Sequence, residues 1–283
     1  MSITNIKTLM NQAEAENRAV GAFSVGNMEM IIGAVKAAEE LDTPIILQIA
    51  QSRLKHSPLD LTGPMMLSAA EKAKVPVAVH LDHGLTLDVI NQALNLKFTS
   101  VMFDGSRYDV NKNLDMTRKV IGLAKEHGAC VEAELGVIGG NEGNGKQVTS
   151  CTDPGTAKYF AQSADIDALA VAIGNAHGHY ERTPKLRFDI LSDIHKKVGV
   201  PLVLHGGSGI TPQDFRECIN RGIRKINIAT ANFDSLTNSA EKYFKTSGSH
   251  NYFSLNEAMV EGVYKNIKRH INIFNNRVPI EKI

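Results

Sequence analysis

Eight short, nearly uninterrupted apolar runs recur along the chain, at residues 20–25, 44–49, 76–83, 100–104, 130–134, 168–173, 202–204 and 225–229. Stretches with the 3.6-residue period of a helix separate them, at 28–41, 64–74, 86–96, 111–127, 154–163, 188–198 and 212–221, and another precedes the first run at 5–17. The runs do not alternate apolar with polar residues, as a half-exposed strand would. They read as strands buried on both faces, which is the pattern of a parallel sheet covered by helices. Three of them are entered through proline, at Thr43-Pro44, Val75-Pro76 and Val200-Pro201, where the missing N–H costs no ladder bond. Eight strand-then-helix units without a linker predict a single (β/α)8 barrel domain over residues 1–283, with an open doubly wound sheet as the alternative. Beyond Phe233 the pattern continues as additional C-terminal helices. There Leu255, Met259, Val263, Ile267, Ile271 and Phe274 form a helical stripe that packs on the barrel or on another subunit.

Composition narrows the partners. Over 283 residues the formal net charge is +1, which argues against a nucleic-acid or anionic-membrane surface. Cys130, Cys151 and Cys218 are odd in number and widely spaced, the usage of reduced intracellular thiols rather than a disulfide framework. The N-terminal residues lack the basic head and apolar run of a signal peptide, and no apolar stretch reaches membrane-spanning length. The expectation is a soluble, cytoplasmic protein.

A barrel carries its chemistry at the C-terminal ends of its strands. Here the third strand ends in Asp82-His83, the fourth in Asp104 and the fifth in Glu132-Ala133-Glu134. The sixth runs into Gly174-Asn175-Ala176-His177-Gly178, the seventh ends at His205, and the eighth carries Asn227. One such residue after a strand is usually a hydrogen-bonded loop residue or a helix cap. Six successive strands delivering them to one rim is costly without a function. His83, His177 and His205 offer three imidazoles, which with one open position is the arrangement of a catalytic zinc. Asp82 is placed for proton transfer at the same centre, while Asp104 and Glu134 are placed to orient ligands or hold a second cation.

The seventh strand also leads into Gly206-Gly207-Ser208-Gly209, and a helix follows with Thr211 as N-cap and Pro212 in its first turn. Such a turn presents backbone N–H groups to an anion. With Gly178 and with Asn227-Ile228-Ala229-Thr230 after the eighth strand, it forms a candidate phosphate cradle in the loops where barrels commonly bind phosphate. A carbonyl-polarising metal beside that cradle points to chemistry alpha to the carbonyl of a phosphorylated sugar. Aldol cleavage and isomerisation both fit.

The motifs Leu81-Asp82-His83-Gly84, Glu132-Ala133-Glu134-Leu135-Gly136, Ala172-Ile173-Gly174-Asn175-Ala176-His177-Gly178, His205-Gly206-Gly207-Ser208-Gly209 and Lys225-Ile226-Asn227-Ile228-Ala229-Thr230 resemble the class II, metal-dependent ketose-bisphosphate aldolases, in both their fructose- and tagatose-bisphosphate branches. The likeness spans essentially the whole chain. It implies that His83, His177 and His205 bind a catalytic Zn2+, which does the work of a Schiff-base lysine. It also implies that Asp104 and Glu134 match acidic positions of a second or resting metal site. Gly178, Gly206, Gly207, Ser208, Asn227, Ile228, Ala229 and Thr230 would hold the phosphate end of dihydroxyacetone phosphate, with a monovalent cation (Na+ or K+) nearby. Asp82 would be the acid/base at the C4 hydroxyl of the ketose. Glu142, in the Gly-rich segment after the fifth strand, would move the C3 proton. The partner implied is a small phosphorylated ketose, and the assembly a homodimer or homotetramer.

The departures from that pattern gather on the other half of the substrate. The family often has Asn at Ser24, Thr at Asn175 and a smaller or aliphatic residue at His179. Where fructose-bisphosphate members place Ser after the second strand, this chain has Ala50, followed by Gln51-Ser52-Arg53, and the Arg often found after the Glu-Ala-Glu-Leu-Gly motif is Val137. The expectation is an aldehyde other than glyceraldehyde 3-phosphate, one without a phosphate. A metal-dependent sugar-phosphate isomerase or epimerase, and a non-catalytic aldolase-like subunit, are the rival readings.

Overall fold

Strand and helix alternate along the chain in a computed structural model that describes residues 2–139, 150–180, 182–247, 250–276 and 279–282. The strands are β1 (Ile3–Thr4), β2 (Val20–Ser24), β3 (Ile45–Ala50), β4 (Val77–Gly84), β5 (Ser100–Phe103), β6 (Cys130–Leu135), β7 (Ala168–Val171), β8 (Leu202–Leu204) and β9 (Ile223–Ile228). The helices are α1 (Ile6–Ala15), α2 (Met28–Glu40), α3 (Leu59–Lys72), α4 (Leu87–Asn95), α5 (Val110–His127), α6 (Pro154–Ser163), α7 (Phe188–Lys197), α8 (Pro212–Asn220), α9 (Thr230–Ser247) and α10 (Tyr252–Phe274). All strand pairings are parallel, and β2 pairs with both β3 and β9. That double pairing closes β2 to β9 into an eight-stranded barrel and excludes the open doubly wound sheet.

Side chains alternate along a strand, so every second residue faces the barrel interior. At its floor Val20, Ala22, Ile46, Ala78, Met102, Cys130, Ala168, Ala170 and Val203 form one apolar cluster with Ile6, Leu9, Met10 and Ala13 of α1. Helix α1, capped by the Asn5 side chain on Thr8 N–H, therefore plugs the bottom of the barrel. Two residues further along β3, β4 and β6 the interior turns polar with Gln48, His80 and Glu132, and β9 adds Lys225; all four are buried. The next pair of positions delivers Asp82, Glu134 and Asn227 to the rim. The larger cluster, made by the other face of the strands, packs beneath the helices.

Three features differ from the sequence expectations. Strand β1 carries no periodic signal, being two residues paired to β4 at the barrel floor. Helix α3 starts at Leu59, ahead of the expected 64, and Pro64 lies inside it. Leu59, Thr62, Gly63 and Met66 supply a buried face that outweighs the backbone bond forgone at Pro64. The C-terminal helices begin at Thr230, immediately after β9, so the expected phosphate loop is also the start of α9. Of the C-terminal stripe, Val263, Ile267, Ile271 and Phe274 are buried in the barrel's own core. Helix α10 approaches α2 closely at Gly33, where an added Cβ would lie 2.9 Å from the Val260 carbonyl oxygen. No helix among the described residues is long and apolar enough to cross a membrane.

Candidate active site

Strand alternation alone would send adjacent residues Asp82 and His83 to opposite faces. Both are buried, and His83 adopts φ +42°, in the left-handed region that non-glycine residues rarely enter. The β4–β5 register shifts between Leu81 and Gly84. This irregularity re-aims His83 toward the rim that Asp82 already faces, as bulges beside active sites do.

His83 Nε2 then lies 2.9 Å from His205 Nδ1 and 3.2 Å from His177 Nε2. The outer nitrogens of two rings rest on carboxylates, His83 Nδ1 on Asp104 Oδ2 at 3.0 Å and His205 Nε2 on Glu132 Oε1 at 2.8 Å. A carboxylate accepts, so each of those nitrogens donates. The remaining lone pairs of His83 and His205 consequently face one another, which is repulsive unless a proton or a cation lies between them. Nitrogens bound to one tetrahedral zinc at about 2.0–2.1 Å would stand roughly 3.4 Å apart, near the observed separations. Glu134 Oε2 adds a buried oxygen with no hydrogen-bond partner among the described residues, 3.8 Å from His83 Nδ1. Two overlapping sets of donor atoms thus arise, His83–His177–His205 and His83–Asp104–Glu134. Asp82, Asp104, Glu132 and Glu134 are all buried around these imidazoles, and a buried lysine, Lys225, pairs with Glu132. Such an excess of carboxylates suits a bound dication. The donor set fits a metal.

Electrostatics follow the same geometry. Burial opposes charge on His83, but the negative charge of Asp82, the hydrogen bond to Asp104 and the charge of Glu134 hold its imidazole well above the usual range. Burial and the charge of His83 push His205 the other way. Burial pushes the Glu134 carboxyl well up, reinforced by Asp104. Asp104 itself is held low against its burial by hydrogen bonds from His83 and Ser106.

Asp82 is held at both oxygens, Oδ1 accepting from Asn227 Nδ2 at 3.1 Å and Oδ2 from Gln48 Nε2 at 3.2 Å. A small pocket beside the histidines is lined by His177, Gly178, Gly206, Ser208, Asn227, Ala229 and Thr230. Gly206 has φ +64°, and a Cβ there would lie 2.1 Å from the Ala176 carbonyl oxygen, so only glycine fits this turn. The start of α9 adjoins the pocket, with Ala231 N–H donating to Ser208 Oγ at 2.9 Å, and brings a helix N-terminus to it. Gly207 N–H donates to the Asn227 carbonyl, and the Ile228 side chain points into the core, so these two shape the cradle from outside the pocket lining. Glu142 lies outside the described residues.

Some contributors carried no assigned role in the sequence reading. Tyr180 OH accepts from Ala176 N–H at 2.9 Å and donates to the Gly206 carbonyl at 2.8 Å, clasping the loops after β7 and β8. Asn175 accepts from Ile173 N–H and donates to the His205 carbonyl at 3.0 Å, tying the same loops from below. Glu132 and Lys225 were visible as inward positions two residues before Glu134 and Asn227, a spacing that places each pair on one strand face.

The family model "Fructose-bisphosphate aldolase class-II" matches residues 4–277. The 6-phospho-5-dehydro-2-deoxy-D-gluconate aldolase of Halalkalibacterium halodurans is 39% identical over 238 residues, covering 81% of each chain. The fructose-bisphosphate aldolase of Giardia intestinalis is 38% identical over 226 residues, covering 78% of this chain and 70% of that one. Among solved structures, the YdjI aldolase of Escherichia coli K12 superposes with a TM-score of 0.86 at 32% identity, over 96% of this chain and 97% of that one. This chain belongs to the class II fructose-bisphosphate aldolase family and is a lyase of the aldolase class.

Proposed function

We propose that the chain is a zinc-dependent aldolase that reversibly cleaves a ketose 1-phosphate or ketose 1,6-bisphosphate into dihydroxyacetone phosphate and an aldehyde. The convergence of the His83, His177 and His205 nitrogens beside Asp82 carries this reading. His83, His177 and His205 would hold the zinc, with Asp104 and Glu134 as the alternative donors on its inner side. Bound there, zinc supplies a Lewis acid for the substrate carbonyl. The pocket of Gly178, Gly206, Ser208, Asn227, Ala229 and Thr230 receives the phosphate end of the ketose, and the α9 N-terminus favours its charge.

Asp82 takes the proton of the C4 hydroxyl, and its clamped oxygens keep that orientation through the step. The C3–C4 bond then breaks, the aldehyde leaves, and the electron pair stays with the dihydroxyacetone phosphate half. Delivery of a proton to C3, the role assigned to Glu142, completes the product.

The aldehyde end supports a substrate without a second phosphate. Ala50 offers only a methyl group at the end of β3. The Gln51 side-chain Oε1 is occupied by Leu85 and Thr86 N–H at 2.6 and 3.2 Å, and Ser24 Oγ accepts from Gln48 Nε2 at 3.2 Å. Relatives are named for sulfofructosephosphate and for 6-phospho-5-dehydro-2-deoxy-D-gluconate, and that range of named substrates supports an aldehyde other than glyceraldehyde 3-phosphate. Cleavage rates on a panel of ketose 1-phosphates and 1,6-bisphosphates test the reading, and a strong preference for bisphosphates overturns it. The exposed aromatic start of α10, Tyr252 and Phe253 at 63% and 73%, supports a homodimer or homotetramer, which light scattering would measure.

A further inference from the structure

The polar middle layer of the barrel holds an ion pair that the cleavage steps do not use. Lys225 on β9 and Glu132 on β6 are both wholly buried, and Lys225 Nζ lies 2.8 Å from Glu132 Oε2. The other oxygen, Oε1, lies 2.8 Å from His205 Nε2. An ammonium can only donate, so the carboxylate it faces accepts at both ends, and the proton of His205 stands on Nε2. The His205 Nδ1 lone pair is thereby turned toward His83 Nε2, 2.9 Å away. Two neighbours complete the surroundings without altering this order. Asn227 Nδ2 lies 3.3 Å from His205 Nε2; one of its two hydrogens goes to Asp82 Oδ1, and against an Nε2–H that already donates to Glu132 the remaining contact is donor to donor. His80 lies beneath, its Nε2 3.7 Å from Glu132 Oε2 and its Nδ1 on Ser100 Oγ at 2.9 Å.

We propose that Lys225 and Glu132 are a positioning pair that fixes His205 in its Nε2–H tautomer and so sets how tightly the three-histidine centre holds its metal. The proposal rests on the metal-site reading above. Neither residue lines the phosphate pocket or the group of facing imidazole nitrogens. Their effect passes through a chain of hydrogen bonds with one direction: Lys225 to Glu132, and His205 to Glu132. Outer partners of this kind orient a ligating histidine and typically change metal affinity by about 10- to 100-fold.

The direction of that chain gives the pair a test that ordinary loss of packing would not reproduce. In Glu132→Gln, Lys225 still requires an acceptor and takes the amide oxygen. The amide NH2 is then left to donate to His205 Nε2, which drives the histidine proton onto Nδ1, facing His83. Removing the lysine as well, in Glu132→Gln/Lys225→Met, frees the amide to turn its oxygen back to Nε2–H. The second substitution should therefore repair the first.

Two readouts follow. Long-range 1H–15N spectra of metal-free, 15N-histidine-labelled protein should show His205 protonated on Nε2 in the wild type, on Nδ1 in Glu132→Gln, and on Nε2 again in the double variant. Competition with a zinc chelator should show binding weakened about 10- to 100-fold in Glu132→Gln and largely recovered in the double variant. The proposal is overturned by a wild-type His205 protonated on Nδ1, by an unchanged tautomer in Glu132→Gln, or by a double variant that binds zinc no better than the single one. The wild-type spectrum decides even where a variant fails to fold. It is read without metal, so a wild type that binds no zinc would overturn the metal reading while the tautomer still judges the pair.

Discussion

His83 and His205 stand almost perpendicular, ring centroids 4.6 Å apart and planes at 88°, with His83 Nε2 and His205 Nδ1 facing at 2.9 Å. Two lone pairs held that close need a proton or a shared cation between them, and three converging imidazole nitrogens suit the cation. His205→Ala should consequently lose bound zinc and turnover together while its far-ultraviolet dichroism stays that of the wild type. Elemental analysis after gel filtration checks this, and zinc content equal to wild type would refute the ligand assignment.

Asp82 faces the same rim, but its two oxygens are engaged by amides from Asn227 and Gln48. Its substitution by Ala should leave zinc content unchanged and lower cleavage by roughly 10²- to 10⁴-fold, the usual contribution of a general acid/base group. Zinc and kcat measured on one preparation separate this outcome from that of His205→Ala.

Gly206 combines a left-handed φ with carbonyl contact where a side chain would sit. Gly206→Ala should shift the loop after β8, lower Tm by several degrees, and raise KM for the phosphorylated ketose, since the displaced backbone lines the phosphate pocket. Thermal unfolding and steady-state kinetics on the variant test both effects.

His270 anchors α10 far from the chemistry. Burial pushes its imidazole down to about 4, against the Nδ1–H bond to the Asn266 carbonyl at 2.8 Å, and it packs against Phe215 and Phe274. Its folded value lies below the unfolded value of about 6.5, so the unfolded chain takes up this proton first as pH falls. The neutral form's contribution is complete above pH 6.5 and is lost progressively toward pH 4, by about 3 kcal/mol. Urea unfolding across that window should show a shallower decline in His270→Gln than in the wild type, and parallel declines would contradict the assignment.

Much of this was written in the local sequence because the barrel strands are short, apolar and punctuated by proline or glycine. The spacing of Glu132 from Glu134, and of Lys225 from Asn227, places both pairs on the barrel's inner face by alternation alone. What alternation does not supply is His83, which reaches the site through a register shift and a positive φ that no propensity indicates. Helix α3 was misplaced because Pro64 imitates a helix start, whereas tertiary burial of Leu59 and Gly63 decides. The clasp made by Tyr180 depends on two loops meeting, a long-range fact with no local signature.

A metal held by His83, His177 and His205 should support cleavage to dihydroxyacetone phosphate. The most direct test is release of that product from a panel of ketose 1-phosphates and 1,6-bisphosphates, coupled to a reductase, before and after exhaustive chelation and again after zinc is restored. Chelation should abolish that release, and zinc should restore it. Release that persists without metal, or no release from any ketose on the panel, would contradict metal-supported cleavage.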